Sequence, residues 1–371
     1  MNVQNVIVGA GLSGIVIAQR LAKKGEKVFI IEKRNHIGGN CYDYFDKNGI
    51  LIHKYGPHIF HTNMEDVWEY LNTFTKFTNF QHKVLAWVDS NLIPVPFNFN
   101  SIETSFAKEL AKKIENSLLE YYEYGSKVSI SELRRKAQET KDTNLRFVAD
   151  YIFEKVFKNY TVKQWGINAE DINPSVLKRV PVVMSRDNRY FPHHKYQGMP
   201  EDGYTKMFEK MLSGKNIHVV LNTDYEDVIH DINYKSLYFT GPIDRFFNYK
   251  YGKLDYKKTL YQLEEHEKQS YQENIVINYP NDYEYTRITE FKKFYPNSPT
   301  FGIDKTVICK EIPGIGNIDA YPVETDINLE ILEKYKDEAQ KIKNVHFLGR
   351  LANYKYMDMD QTIKNALDFK I

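Results

Sequence analysis

Residues 6–32 read VIVGAGLSGIVIAQRLAKKGEKVFIIE: a short apolar strand, a turn carrying Gly9, Gly11 and Gly14, an apolar helical run, and a second strand closed by an acid. Leu12, Ile15, Val16, Ala18 and Leu21 recur at three- and four-residue steps, the spacing of one helix face. Gly9 permits the tight turn, Gly11 omits a side chain where a pyrophosphate must approach the backbone, and Gly14 lets the helix lie close against the sheet. The helix start at Leu12 and Ser13 offers amide donors and the positive end of the dipole. Glu32, 23 positions after Gly9, is placed to hold the ribose hydroxyls of an adenosine. Strand, glycine turn, helix, strand and acid in this order predict a dinucleotide-binding βαβ unit.

Directly after Glu32 comes KRNHIGGN, a basic patch followed by Gly38 and Gly39. A nicotinamide enzyme usually runs straight into another helix here. A glycine pair at this point is instead the habit of proteins that bind FAD in an extended form, and it moves the reading from NAD toward FAD. At 371 residues the chain exceeds one core. A net charge of +1 gives no field for nucleic acid or anionic lipid, so any bound anion is captured locally. Cys41 and Cys309 lie too far apart for a CxxC site or a disulfide framework. The start MNVQNVIVGAG has no basic-then-apolar leader, and no apolar run approaches the ~18 residues of a membrane span, so a cytoplasmic protein is expected.

The segment IHKYGPHIFHT sets His53, His58 and His61 within eleven positions and has the look of a metal site. Zinc sites usually add cysteine or carboxylate ligands at short spacings, and this run lacks them, so no metal is expected. Further on, KVLAWVDSNLIPVPF (83–97) predicts a hairpin turning at Asp89-Ser90-Asn91, and residues 101–160 change to helical period, with SISE (129–132) as a capping box. SLYFTGPID reads as a strand returning to the nucleotide-binding sheet, and NVHFLGR as a last strand leading into the helix DMDQTIKNALDF; NIVINY, YTRITEF and KTVICKEI read as antiparallel strands. The predicted class is α/β: a Rossmann-type FAD-binding domain with a helical insert and an antiparallel β-sheet domain. The expected boundaries are 1–80 with 195–245 and 324–371 for FAD, 98–178 for the helices, and 81–97 with 179–194 and 246–323 for the sheet.

Three more stretches, KNYTVKQWG (158–166), EYTRITE (284–290) and GRLANYKYMDMDQ (349–361), join GAGLSG, EKRNHIGGN, YGPHIFHT and GYTK (203–206). Together they resemble, from end to end, the bacterial flavin-dependent UDP-galactopyranose mutases. The resemblance implies ring contraction of a nucleotide sugar without net redox change, supplying galactofuranose for cell-surface polysaccharide. Reduced FAD attacks the anomeric carbon through N5, displaces UDP, and passes through a flavin-iminium before UDP returns. It also implies a homodimer.

On that resemblance Arg287, Tyr321 and Tyr356 hold the diphosphate, with Tyr190 near the nucleotide sugar, and Tyr160, Thr161 and Trp165 serve the uracil end of the pocket. Glu311 lies near the sugar or is a cross-strand surface charge. Arg350 contacts the flavin or its diphosphate; Lys33, Asn40, His58, Ile59, Met357 and Tyr356 complete the cofactor contacts. Asp358 opens a helix whose amides face the flavin, or only caps it. His61 faces the active site, and relatives taking the N-acetylated sugar carry arginine there. One departure is the family's mobile-loop arginine in KR-x-P-V-R: here the run is KRVPVVMSRDNRYF with Val183 in its place. Arg179 precedes it, and Arg186 or Arg189 is the expected substitute, Arg186 preferred. UDP-galactose is the expected sugar, with dTDP-fucose, UDP-arabinose and UDP-N-acetylgalactosamine as the alternatives that this departure leaves in play. An ordinary FAD oxidoreductase and a flavin-binding scaffold are the readings of other kinds.

Overall fold

The computed structural model describes residues 2–166, 180–316 and 319–371, with Trp165, Asp319 and Ala320 described by their backbone alone. The chain forms two compact units: Met1–Phe80 with His194–Lys258 and Ile318–Ile371, and Gln81–His193 with Thr259–Asn317.

In the first unit the strand Asn2–Val8 pairs in parallel with Val28–Ile31 on one side and Asn233–Phe239 on the other. Ile217–Val220 and Val345–Phe347 extend the sheet outward to five parallel strands. Thus SLYFTGPID does return to the nucleotide sheet, and the strand of NVHFLGR joins it at the edge. Parallel strands need covered faces, and the apolar runs Val6–Val8 and Val28–Ile31 reflect that. The helix Leu12–Lys23 buries Ile15, Val16, Ile17, Ala18 and Leu21. Arg20 fastens the far end of the last helix, Met359–Asp368, by donating to the carbonyls of Ala366 at 2.6 Å and Phe369 at 2.8 Å.

In the second unit Val84–Val88 and Asn91–Val95 form the hairpin, with Asp89 and Ser90 both at positive φ, 48° and 63°. Such a pair of left-handed residues matches the twist of the flanking strands. From the hairpin the sheet continues through Val276–Asn278, Arg287–Glu290 and Thr306–Pro313 to the part of Tyr256–His266 that begins at Thr259. All these pairs are antiparallel except Val276–Asn278 on Val84–Ala86, which is parallel. A parallel pair requires a long crossover. The intervening chain supplies it with the helices Phe99–Ser105, Lys108–Tyr121, Ile130–Glu139 and Thr143–Ile152, then Asn159–Trp165. Helices and sheet share one apolar core in which Val84, Ile93, Ile114, Leu118, Leu133, Val148 and Val276 are buried. Ser129 caps its helix by accepting from the Glu132 amide at 3.2 Å. Among the described residues no helix is long and apolar enough to cross a membrane.

Candidate active site

The glycine turn of the first unit has the geometry its spacing predicts. Gly9 sits at φ +101°, and a Cβ there would lie 2.2 Å from the Thr240 hydroxyl oxygen. A Cβ at Gly14 would lie 2.0 Å from the carbonyl oxygen of Gly9, so only glycine lets this helix approach its strand. At Gly11 a Cβ would meet nothing nearer than Gly39 Cα at 3.8 Å, and one at Gly39 would come within 2.9 Å of Gly11 Cα. Two bare backbones thus face each other and leave a cradle. Glu32, buried, accepts from the amides of Ala10 and Arg34, each at 2.8 Å, which ties the turn to the strand end and leaves lone pairs for ribose hydroxyls.

Arg34 was part of the basic patch in the sequence but was not singled out. Its guanidinium donates to Asn40 Oδ1 at 3.0 Å and lies 4.7 Å from the Tyr55 ring centroid. Its Nη1 is buried without a hydrogen-bond partner among the described residues. An orphaned guanidinium nitrogen near a glycine cradle and a buried ribose acid fits an extended dinucleotide with two phosphates. Ser13 is buried, Leu12 opens the helix, and Lys33 is exposed. These residues fit FAD.

The three histidines each meet a partner within the protein. Among the described residues no group of three His, Cys, Asp or Glu is arranged to hold an ion. His53 is fully buried and its Nδ1 accepts from the His58 amide at 3.1 Å, while His58 Nδ1 lies 2.9 Å from the Gly56 carbonyl. His61 Nδ1 lies 2.9 Å from Nδ1 of His194, so one ring donates and the other accepts. Nothing local in the sequence marks His194, which lies 133 positions from His61. Burial lowers His53 to about 3, and burial first and then neighbouring charge lower His58 and His61 to about 4.

These depressed values make stability depend on pH. A neutral buried histidine contributes above its unfolded value near 6.5, and the contribution is lost as pH falls through that value toward 4. For His53 alone the loss by pH 5 is about 2 kcal/mol. The urea midpoint of the protein is therefore expected to fall steeply between pH 7 and pH 5. An unchanged midpoint would mean that these rings are not held neutral.

Tyr321, Tyr356, Arg350 and Asp358 are brought together in the same unit. The two phenol rings stack at 5.4 Å and 25°, and the Arg350 guanidinium lies 5.1 Å and 5.4 Å from their centroids. Arg350 also donates to the Met357 carbonyl. Tyr356 donates to Asp358 Oδ1 at 2.9 Å, while the Asp358 amide donates to Gln361 Oε1 at 3.2 Å in the helix that follows. Asp358 thus both opens the helix and fixes a phenol. Ile59 is half-buried and Met357 buried.

In the second unit Arg287 Nη2 donates to the Tyr160 hydroxyl at 2.7 Å, and its Nε lies 3.6 Å from Glu311 Oε1. Arg287 and Glu311 are direct partners across antiparallel strands. Glu311 is buried rather than a surface charge; burial raises its carboxyl above the usual range and the Arg287 charge opposes that. Thr161 donates to the Phe157 carbonyl at 2.6 Å, as a buried helical threonine does. Tyr190 sets its ring edge-on to His82 and Phe191.

Val183 is buried in the strand Val182–Val183 and donates its amide to the Phe97 carbonyl. Arg186 is exposed and paired with Glu103 and Glu115, each at 2.8 Å, and Arg189 is paired with Asp187. Both candidate substitutes for the missing loop arginine are thus committed to carboxylates. Arg179 lies outside the described residues, as does the side chain of Trp165.

Residues 155–356 match a family model described as UDP-galactopyranose mutase, and residues 7–74 match one for an NAD(P)-binding Rossmann-like domain. The chain is 39% identical over 378 residues to a probable UDP-galactopyranose mutase of Klebsiella pneumoniae, covering 99% of this chain and 94% of that protein. It is 36% identical over 373 residues to the dTDP-fucopyranose mutase of Escherichia coli, covering 98% and 96%. A solved structure of reduced UDP-galactopyranose mutase is similar with a TM-score of 0.67 over 98% of this chain and 94% of that one, at 16% identity, a likeness of fold.

Proposed function

Since the chain belongs to the UDP-galactopyranose mutase family of FAD-dependent pyranose–furanose mutases, we propose that its substrate is UDP-galactose, interconverted between the pyranose and furanose forms. The observation that supports this most is the Arg287–Tyr160–Glu311 constellation: a half-buried guanidinium, oriented by a phenol and a buried acid, suits a diphosphate that must be released and recaptured. An oxidase has no need of it.

Reduced FAD, when bound, supplies the nucleophile that displaces UDP from the anomeric carbon. Gly9, Gly11, Gly14, Glu32, Gly38, Gly39 and Arg34 would hold its adenosine and phosphates, and Arg350 and Met357 its flavin end. Arg287 donates to the diphosphate, and Tyr160 holds the guanidinium in orientation. Tyr321 and Tyr356 donate phenol hydroxyls, with Asp358 setting the direction of the Tyr356 hydroxyl. The His61–His194 pair serves the sugar, where the ring nitrogens left outside their mutual contact can meet its hydroxyls. A cytoplasmic location and a homodimeric state belong to the same proposal, the latter open to sedimentation velocity.

Galactose is preferred over the 6-deoxy sugar of the E. coli relative because a polar histidine pair suits a sugar that retains all its hydroxyls. The test is to incubate dithionite-reduced protein with UDP-galactofuranose, UDP-N-acetylgalactosamine, UDP-arabinose and dTDP-fucose, and to separate isomers chromatographically. Highest kcat/KM on UDP-galactofuranose is expected. Preference for the dTDP sugar would move the assignment to that substrate.

A further inference from the structure

We propose that Lys163 is a positioning residue for nucleotide-sugar binding: its ammonium gathers the carbonyls of Tyr279, Asn281, Tyr283 and Tyr285 and so fixes the loop that delivers Arg287. The inference rests on the mutase reading for what Arg287 binds.

The hydrogen bonds run from Lys163 Nζ to the carbonyl oxygens of Tyr279, of Asn281 at 2.8 Å, of Tyr283 at 3.0 Å and of Tyr285 at 3.2 Å. Three N–H donors thus serve four acceptors, all on alternate residues of one irregular segment. Few backbone bonds order that segment otherwise: Tyr279 N to Thr286 O at 2.8 Å and Tyr283 N to Asn281 O at 2.7 Å. One side chain that meets four carbonyls of a segment with so few backbone bonds of its own holds that segment's conformation. Asn159 and Lys155 add a second tie, through Asn281 Oδ1 and Nδ2, each at 3.1 Å.

The placement relative to Arg287 gives the clamp its purpose. The loop runs into Thr286, whose amide donates to the Glu311 carbonyl at 2.9 Å, and then into Arg287 at the strand start. Tyr160, which accepts from Arg287, stands three residues before Lys163 in the helix Asn159–Trp165. Residues three apart share a helix face. One face therefore offers a phenol to the guanidinium and an ammonium to the loop behind it. Burial lowers the lysine to about 8, as it does for a cation held by neutral dipoles more than by a carboxylate.

Lys163→Met keeps the aliphatic stem and removes the donors. In the flavin-loaded protein it is expected to raise KM for the nucleotide sugar and Kd for UDP about tenfold, with kcat at saturation within about twofold, since a shifted guanidinium weakens binding first. Flavin content is expected to be unchanged. Lys155→Met, which loses only an exposed pair with Asp89, is expected to behave as wild type. Asn281→Ala loosens the same loop from the surface and is expected to raise KM by a smaller factor; if Lys163→Met fails to fold, this variant decides. Unchanged KM and Kd in the folded variants, or a fall in kcat alone, would overturn the positioning role. If wild type neither binds UDP nor forms an isomer, the mutase reading itself fails, and the two failures are distinct.

Discussion

Arg287→Ala is expected to lower kcat/KM by about a thousandfold or more, the scale lost with a preorganised charged donor at the site of charge development, while the protein keeps its flavin. The expectation follows from where the arginine is held. Arg287 lies in the second unit, at the start of a strand, bonded to Tyr160 and opposite Glu311. The glycine cradle, Glu32 and Arg34 all lie in the first unit. Removing Arg287 leaves a buried acid, but burial has already raised the Glu311 carboxyl. It can take a proton instead of standing as an unpaired charge, so a folded variant is expected. Arg287→Lys keeps the charge but cannot donate to Tyr160 and a phosphate oxygen in one plane, and only partial recovery is expected. Steady-state rates on UDP-galactofuranose, with the flavin absorbance spectrum recorded on the same sample, check both halves. Loss of flavin would reassign the arginine to the cofactor; activity within tenfold of wild type would remove it from the diphosphate.

The second large effect concerns the cofactor. Gly14→Ala places a methyl carbon 2.0 Å from the Gly9 carbonyl oxygen, a backbone atom that cannot rotate away. The helix Leu12–Lys23 must move off its strand, taking with it the amides at its start and the turn that Glu32 holds. The protein is expected to be recovered without FAD, or not recovered in folded form, and in either case without activity. Gly214→Ala is the control, because the nearest atom to its Cβ is 3.7 Å away. Retention of full flavin by Gly14→Ala would show that the helix is not packed as described.

Local patterns carried much of this in the sequence, and long-range pairings did not. The βαβ unit was legible because its order is local: strand, glycine turn, helix and second strand follow one another, and Gly14 must clear the Gly9 carbonyl five residues before it. The hairpin was legible from Asp89-Ser90-Asn91. The parallel pairing of Val276–Asn278 with Val84–Ala86 was not, since strand alternation is the same for either direction and the partners are separated by the helices. His194 and Lys163 were missed for a related reason. The first meets His61 only through folding; the second reads in YTVKQW as one more helix cation, until four loop carbonyls close on it. Arg186 shows the reverse. Its nearness to Val183 in sequence suggested a substitute for the loop arginine, whereas the fold gives it Glu103 and Glu115.

Family membership fixes flavin chemistry without net oxidation, and one measurement tests that for this chain most directly. UDP-galactofuranose is incubated anaerobically with the protein, once with its flavin oxidised and once after dithionite reduction, while the flavin spectrum and the product isomers are followed together. The expected result is formation of UDP-galactopyranose by the reduced protein alone, with the flavin still reduced when equilibrium is reached. Isomer formation by the oxidised protein at the same rate, or reoxidation of the flavin in step with loss of the sugar nucleotide, would contradict it.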